Sequence, residues 1–365
     1  MRQGDILIVG GYGAVGRVIA HQLAEIFPNQ VVVAGRNLAK AEALAQESGG
    51  KIRPLQLDLN TAHEHPELLD NVAMVVMCLD VPDMRFVQQI LHKGIHYIDI
   101  TADDTILQAI EALDDVAKTG DSTAVLSVGL APGITNLLTR FLQNRFDTAH
   151  QADIYILLGL GEAHGSAATR WTMQNLNSNY TVHQNGQPRQ VGSFSEQKMI
   201  SFLSEASQQP VYRFNFADQH VLTRTVKLPS ISTWITFDPQ VSATAMWLLR
   251  RTNLSKLLRW QWVEDVMVKL AAAIHHGSDK FVIQVEVTGT INGRKQTQAV
   301  AISGHGQSHA TGLMTAQVVA DLLANNYPSG VFHSEQLFEP LPFIQQYTQN
   351  EITFYDAVPI SEALP

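Results

Sequence analysis

A glycine motif near the start of the chain constrains the fold more than any other feature. Residues 5–9 form a short, mostly apolar run that leads into GYGAVG, with Gly11, Gly13 and Gly16 at the G-x-G-x-x-G positions. Residues 15–27 follow with the apolar spacing of a helix. Glycine at these positions allows a tight turn, close approach of the backbone to a pyrophosphate, and close packing of the helix on the strand. A strand, turn and helix with this spacing predict a dinucleotide-binding domain.

The following hundred residues alternate between apolar runs and helical segments. We predict strands at 30–34, 51–57, 74–78, 96–100 and 123–128. Helices long enough to connect parallel strands separate these runs, which is typical of a parallel sheet covered on both faces. The fold class is therefore α/β, with an N-terminal Rossmann-type parallel sheet over residues 1–130.

The pattern changes after residue 130, where the predicted strands become longer and more polar. They lie at 152–158, 221–228, 233–237, 281–290 and 296–303. Asn292-Gly293 between the last two supplies the positive φ values of a type I′ hairpin turn. This predicts a second, α+β domain built on a mixed or antiparallel sheet over residues 131–307. We predict a loop region at 184–207 and helices at 253–276 and 310–324.

Composition limits the partners and the compartment. The formal net charge is −9 and no basic run occurs, which argues against nucleic acid or an anionic membrane as a partner. A single cysteine, Cys78, fits a reducing cytosol, and the first residues lack the layout of a signal peptide. We expect a cytoplasmic protein with a small-molecule substrate.

The residues after the second predicted strand bear on the choice of cofactor. NAD enzymes place an acid there for the ribose 2′-OH, whereas NADP enzymes have a small residue and an arginine for the 2′-phosphate. This chain has Ala34-Gly35-Arg36-Asn37 and no acid at the strand end. We therefore predict NADP as the cofactor; the alternative for Arg36 is a solvated arginine in a loop.

Several other positions are candidates for a site at the carboxyl edge of the sheet, where ligands bind in open α/β sheets. Asp58 is either at the adenine edge or the cap of a local turn. The predicted cofactor-binding residues are Gly11, Tyr12, Gly13, Ala14, Val15, Gly16, Arg36, Asn37, Asp58, Leu79, Thr101, Pro132 and Gly133. The predicted catalytic residues are Asp80, Asp99 and Arg170, the last as a holder of a substrate carboxylate or as a surface arginine. We predict no metal site.

These motifs resemble the saccharopine dehydrogenase (saccharopine reductase) family. The resemblance lies in GYGAVG with AGRN, HYID before a helix, GLAPGITN at 129–136, and a tail with ATG at 310–312, GV at 330–331 and EQL at 335–337. It implies that residues 308–365 return to complete the first domain, that the middle domain binds substrate, and that dimers form through its sheet. Members reduce an imine formed between an amine and a keto acid or aldehyde, or run the reverse reaction, with NAD(P)H.

One position departs from the family pattern. Ala131 stands where the family commonly has aspartate before Pro-Gly, while Pro132-Gly133 is interpreted as a helix start whose N–H groups face the nicotinamide or a carboxylate. Two functions remain open at this point: an NADP-dependent oxidoreductase acting on a C–N bond, and a non-catalytic NADP-binding sensory or scaffold protein. We also expect a homodimer, because strand 281–290 has one apolar face that needs a cover; a monomer with that face covered by its own helices is the alternative.

Overall fold

A computed structural model describes residues 4–162, 172, 175–252, 255, 277–348 and 352–360. The chain divides into two compact units, one of Met1–Gly133 and Ser308–Phe338, the other of Ile134–Gln307 and Glu339–Pro365. Arg170 and nearly all of the predicted helix at 253–276 lie outside the described residues.

The first unit is built on a parallel sheet. The bounds of its strands are β1 Asp5–Val9, β2 Val31–Gly35, β3 Ile52–Gln56, β4 Val72–Met77, β5 His96–Asp99, β6 Thr123–Leu126 and β15 Gly330–His333. Among the described residues, these seven strands pair in the order β15-β6-β5-β4-β1-β2-β3, and every pairing is parallel. The inner strands are almost wholly buried, as expected for parallel strands covered on both faces. The predicted Rossmann-type sheet is confirmed.

Helices connect these strands close to the predicted places. Their bounds are α1 Ala14–Ile26, α2 Leu38–Glu47, α3 Met84–His92, α4 Asp104–Glu111 and α5 Asp114–Thr119, with short 3-10 turns at Ala62–Glu64 and Pro66–Leu69. Between β5 and β6 the chain forms two helices, α4 and α5, which Ala112 and Leu113 separate.

The returning segment adds a strand that the sequence did not predict. This strand, β15, pairs with β6, with Val331 opposite Ala124. Backbone pairing anchors its start, since the Gly330 N–H donates to Ser122 O at 2.9 Å. Two helices flank this strand in the sequence, α9 Gln307–Ala324 before it and α10 Ser334–Leu337 after it.

The second unit contains a mixed sheet, as predicted. The bounds of its strands are β7 Thr148–Gly159, β10 Gln197–Ser201, β11 Gln208–Arg213, β12 Ser230–Asp238, β13 Lys280–Ile291, β14 Arg294–His305 and β16 Thr353–Ile360. Among the described residues they pair in the order β10-β11-β12-β7-β13-β14-β16, where β12 and β7 are parallel and the other pairs antiparallel. A separate hairpin joins β8 Asn179–Gln184 to β9 Gln187–Gly192.

The turn between β13 and β14 has the predicted chemistry. Asn292 has φ of 50° and Gly293 φ of 76°, the left-handed pair that a type I′ turn requires. Helix α6, Thr135–Gln143, packs on one face of this sheet. There the rings of Phe141 and Phe354 form an edge-to-face contact with their centroids 6.0 Å apart. Phe354 lies opposite Ile302, and Ile302 opposite Ile283, so α6 contacts the apolar face of β13.

Two predictions for the middle of the chain are wrong. Residues 221–228, predicted as a strand, lie largely in helix α7, Ala217–Thr225. The buried side chains of Asp218 and Gln219 accept hydrogen bonds from Thr233 of β12, so tertiary hydrogen bonds override the strand preference of the β-branched residues in this helix. Residues 184–207, predicted as a loop, contain β9 and β10. Both strands have polar sequences without a clear strand pattern, and pairing with β8 and β11 stabilises them.

The end of the chain also differs from the prediction. The described residues after Phe338 belong to the second unit instead of returning to the first. The reason is that β16 pairs with β14, with Tyr355 opposite Ala301. Helices α8, Gln240–Arg251, and α11, Pro340–Tyr347, complete the elements of this unit. No helix among the described residues of either unit combines the length and apolarity needed to cross a membrane.

Candidate functional site

The turn after β1 has the tight geometry expected of a phosphate-binding loop. Gly10 carries the left-handed conformation of the turn, with φ of 81°. We assigned this turning role to Gly11, but Gly11 instead provides space, since an added Cβ there would lie 2.9 Å from both Val33 Cγ atoms. A Cβ at Gly16 would lie 2.6 Å from Gly10 O, so only glycine lets α1 approach the turn this closely.

The N-terminus of α1 is open to an anion. Gly13 is the N-cap, no side chain caps the helix, and no acidic residue occupies its first turn. Gly13 and Ala14 are exposed, while the nearest atom to a Cβ built on Gly13 is Gly10 O at 3.2 Å. The free N–H groups and the helix dipole of this 13-residue helix favour a phosphate at this end.

The strand order places this turn where ligands bind in doubly wound sheets. The order reverses between β1 and β4, and a crevice forms outside the carboxyl ends of the strands at such a reversal. Leu79, just after β4, is 48% exposed and lies against the turn, with Cγ 2.7 Å from a Cβ built on Gly10. Leu79 thus offers an apolar wall beside the phosphate-binding turn.

A groove of about 550 Å³ lies beside the end of β2. Its lining residues are Tyr12, Arg36, Asn37, Leu38 and Lys40. The Tyr12 hydroxyl accepts a hydrogen bond from the Asn37 N–H at 3.2 Å, and the ring lies so close to Gly35 that an added Cβ would be 2.6 Å from it. Tyr12 therefore fixes the loop that carries Arg36.

Two cations in this groove have no acidic partner among the described residues. The side chains of Arg36 and Lys40 are exposed, and neither forms an ion pair with any residue that the structure describes. Sequence reasoning found Arg36 and missed Lys40. The available signal was its position, because Lys40 falls in the first turn of α2, where the helix dipole disfavours a cation.

Asp58 follows β3 and is exposed. Its Oδ1 accepts hydrogen bonds from the Asn60 backbone N–H at 3.0 Å and from Asn60 Nδ2 at 2.8 Å. This geometry favours the local-turn alternative for Asp58 over the role at the adenine edge.

The residues after β4 and β5 form one hydrogen-bonded network. Thr101 Oγ1 donates to Asp80 Oδ1 at 2.9 Å, and the Thr101 N–H donates to Asp99 Oδ1 at 2.8 Å. The Tyr97 hydroxyl donates to Asp99 Oδ2 at 2.5 Å. The structure thus brings together Asp80, Asp99 and Thr101, but it places them differently: Asp80 is exposed, whereas Asp99 is fully buried.

Burial decides what Asp99 can do. It raises the pKa of Asp99 to about 7; the hydrogen bonds from Tyr97 and Thr101 act in the opposite direction, and the charge of Asp80 adds to the increase. A carboxyl with no exposed surface does not contact substrate, so the predicted catalytic role of Asp99 is wrong in that sense and it supports Thr101 instead. Desolvation and the charge of Asp99 also raise the pKa of the neighbouring Cys78 thiol, which disfavours the reactive thiolate.

The segment before α6 departs from its predicted conformation. We interpreted Pro132-Gly133 as the start of a helix, but α6 begins at Thr135. Gly133 has φ of 140°, outside the helical range, and a Cβ there would lie 3.0 Å from Ser127 O. Pro132 and Gly133 are buried in a compact loop that follows β6.

Two further site predictions, a role for Arg170 and the absence of a metal site, remain untested. Arg170 lies outside the described residues. Within the parts of the chain that the structure covers, no group of three or more His, Cys, Asp or Glu side chains is arranged to hold a metal ion.

Comparison with known proteins supports a nicotinamide cofactor for this domain. Residues 6–125 match the family model described as saccharopine dehydrogenase NADP binding domain. This confirms the resemblance for that domain and the predicted cofactor, and it supports an oxidoreductase. No curated protein matches the chain in sequence.

Solved structures show a related fold. Saccharopine dehydrogenase (L-Glu forming) from Saccharomyces cerevisiae aligns with a TM-score of 0.67 at 12% identity, over 97% of this chain and 100% of that one. The DAP dehydrogenase of C. glutamicum aligns over 96% of this chain and 100% of its own at 12% identity, but its TM-score of 0.44 is below the level of a shared fold. The first likeness establishes the fold alone.

The buried carboxyl predicts a pH dependence of stability. Because the folded-state pKa of Asp99 is raised to about 7 from 3.8, the folded protein binds this proton more tightly than the unfolded chain does. The contribution of Asp99 to the free energy of unfolding therefore falls as the pH rises from about 4 to about 7, by about 1.4 kcal/mol for each pH unit. Above about pH 7 this contribution stays low. We expect Asp99→Asn to gain stability relative to the native chain across that range, measured by guanidinium unfolding at constant ionic strength.

Tyr97→Phe supplies a matched test. It removes the hydrogen bond that lowers the pKa of Asp99, so the fall in stability is expected to extend to higher pH. A stability difference between Asp99→Asn and the native chain that stays constant from pH 5 to about pH 8 would contradict the buried, proton-binding carboxyl.

Proposed function

We propose that this chain, in which residues 6–125 match the saccharopine dehydrogenase NADP binding domain, is an NADP-dependent oxidoreductase acting on a C–N bond. Its substrate would be a small amine, an imine or an amino-acid-like molecule. The observation that carries the cofactor part is an α1 N-terminus without a side-chain cap beside a groove with two cations, Arg36 and Lys40, that have no acidic partner within the described part of the chain.

The described residues suit the parts of NADP. The N–H groups at the start of α1 would hold the pyrophosphate. Arg36, with its planar fork of donors, and Lys40, as a point charge, would hold the 2′-phosphate. Leu79 would pack against the cofactor near the phosphate-binding turn. When bound, NADPH supplies the hydride, and the protein supplies position and electrostatics.

The substrate end of the proposal rests on Asp80. Its carboxylate is exposed after β4 and is oriented by the Thr101 hydroxyl, which is in turn fixed through the buried Asp99. An anionic group at this edge would attract an ammonium or iminium group, which is the charged part of the proposed substrates. The fold shared with saccharopine dehydrogenase (L-Glu forming) adds support for amino-acid-like substrates. A role for Arg170 in holding a substrate carboxylate remains part of this proposal.

A second candidate is a non-catalytic NADP-binding protein of sensory or scaffolding function. The observation that favours it is Ala131, which replaces the aspartate common in the family with a side chain that carries no proton-transfer group. Both candidates require the same cofactor site, so cofactor binding does not separate them.

Turnover separates the two candidates. Purified protein would be supplied with NADPH and a panel of amines paired with keto acids or aldehydes, and in reverse with NADP⁺ and secondary amines. We expect sustained NADPH oxidation for an amine and carbonyl pair and none for either component alone. Tight NADPH binding with no turnover across the panel would favour the non-catalytic alternative.

Asp80→Asn is expected to reduce turnover while cofactor binding is kept, because Asp80 is proposed to face the substrate.

The cofactor preference gives a direct prediction. We expect NADP(H) to bind more tightly than NAD(H). Arg36→Ala should weaken NADP(H) binding roughly 10- to 100-fold with little effect on NAD(H), as for a charge-assisted hydrogen bond. Lys40→Ala should weaken it roughly 2- to 5-fold, because an exposed point charge contributes less. Titration of intrinsic fluorescence with each cofactor measures both effects.

Lys51→Ala is the matched control for these two variants. Lys51 is also exposed in part, but it pairs with Glu25 at 2.7 Å and precedes β3 at the amino edge of the sheet. We expect no change in either affinity. Equal binding of NADP(H) and NAD(H) by the native chain would refute the role given to Arg36.

Assembly as a homodimer and a cytoplasmic location also remain predictions. We expect static light scattering at micromolar concentration to give twice the chain mass of 40.2 kDa. The sequence argument for a dimer was an apolar face of strand 281–290 that needs a cover. Because α6 contacts this face, the dimer prediction now rests on the family resemblance. A mass near that of one chain would exclude the dimer.

A further inference from the structure

Three polar side chains that the proposed function does not use form a continuous chain in the first unit. His333 Nε2 lies 2.9 Å from Glu111 Oε1, and His333 Nδ1 lies 2.8 Å from Ser127 Oγ. The side chain of His333 is 3% exposed, Ser127 is fully buried, and the side chain of Glu111 is 29% exposed. A buried imidazole with a partner on each ring nitrogen is held in a single orientation.

The backbone explains why these groups meet. His333 ends β15 and lies opposite Leu126, the last residue of β6, so the next residue of that strand, Ser127, comes beside the imidazole. Glu111 is the last residue of α4. Ser127 itself has φ of 55°, a left-handed conformation that is unfavourable for serine and that surrounding contacts must stabilise.

The partners determine the direction of the hydrogen bonds. The Glu111 carboxylate oxygen is an acceptor, so the tautomer that satisfies both contacts has Nε2 donating to Glu111. In that tautomer Nδ1 accepts from the Ser127 hydroxyl. Serine, histidine and an acid in this order also occur in acyl-transfer enzymes, but a nucleophile must reach its substrate. The complete burial of Ser127 therefore favours a structural task over a nucleophilic one.

That task concerns the loop of residues 127–133, which Ser127 begins. The loop is also held from another side, because the Gly129 N–H donates to Met314 Sδ at 3.2 Å. At Gly133, Ser127 O and Met314 Sδ would both lie within 3.1 Å of an added Cβ. His333 and Met314 both come from the returning segment Ser308–Phe338. The loop follows β6, in the half of the sheet beyond the reversal of strand order, where the nicotinamide half of a dinucleotide binds.

We propose that His333 is a positioning residue for the nicotinamide half of the cofactor: it acts through Ser127 to hold the loop 127–133 in its binding conformation, with Ala131, the one residue of the loop that is not buried, towards the cofactor. Glu111 fixes the tautomer and orientation of the imidazole. This inference rests on the proposed function only in that the cofactor is NADP.

The experiment compares two probes of the same site on the full chain. NADPH uses both halves of the site, whereas adenosine 2′,5′-diphosphate carries the 2′-phosphate and adenine but no nicotinamide. We expect His333→Phe, which keeps a ring but removes the hydrogen bonds to Ser127 and Glu111 and the side-chain cap of α10, to weaken NADPH binding roughly tenfold and to leave the fragment unchanged. His333→Asn keeps an acceptor near the position of Nδ1 and is expected to restore most of the NADPH affinity.

Ser127→Ala provides a milder variant should His333→Phe fail to fold. It removes only the hydroxyl, because alanine has the same backbone preference as serine at this φ, and the same separation of the two probes is expected. Arg36→Ala is the converse control, since it should weaken both probes.

Two results would overturn the inference. One is NADPH affinity in Ser127→Ala and His333→Phe equal to that of the native chain. The other is a parallel loss for NADPH and the fragment, which would indicate general destabilisation. If the native chain binds neither probe, the proposed cofactor site itself is refuted and this inference falls with it; native binding with insensitive variants refutes the inference alone.

Discussion

The close packing of α1 on the turn after β1 determines much of the first unit. The contact is possible only because Gly16 has no side chain, as an added Cβ would lie 2.6 Å from both Gly10 O and Gly11 Cα. Helix α1 also packs closely on α9, and this contact likewise requires a glycine. At Gly312 in α9, an added Cβ would lie 2.6 Å from Val18 Cβ. Glycines therefore allow α1 to pack closely against the strand turn and against the returning helix at once, which fixes where that helix lies.

The position of α9 has consequences at the other end of the same sheet edge. Met314 of α9 accepts a hydrogen bond from the loop after β6, and the chain then continues into β15, whose His333 reaches Ser127 in that loop. A continuous series of contacts thus links the phosphate-binding turn to the loop 127–133 through the returning segment. The segment closes the sheet, and it also supports the loop that we assign to the nicotinamide.

Sequence reasoning succeeded in the first unit because its signals are local. Parallel strands buried on both faces produce continuous apolar runs, and the strand predicted at 30–34 corresponds closely to β2, Val31–Gly35. In the second unit the deciding interactions are distant in sequence. Asp218 of α7 accepts from Thr233 Oγ1 at 2.7 Å, a buried contact that a local pattern does not reveal. For the same reason the pairing of β16 with β14, across some fifty residues, was not predictable from either strand alone.

The site shows the same division between local and distant information. Arg36 was predictable because its spacing from Gly16 belongs to a known motif. The difference in burial between Asp80 and Asp99 was not predictable, because both lie at the carboxyl ends of neighbouring strands. Predicting the role of Lys40 from the sequence would require both the helix register and the surroundings of its side chain to be known.

In a chain with 34 acidic and 25 basic residues, an exposed cation readily finds an acidic partner, as Arg17 does with Glu47 and Arg53 with Asp5. Two neighbouring cations in one groove without such a partner among the described residues repel each other, and an anion such as the 2′-phosphate would relieve that repulsion. The groove is therefore better explained by a ligand than by the stability of the fold.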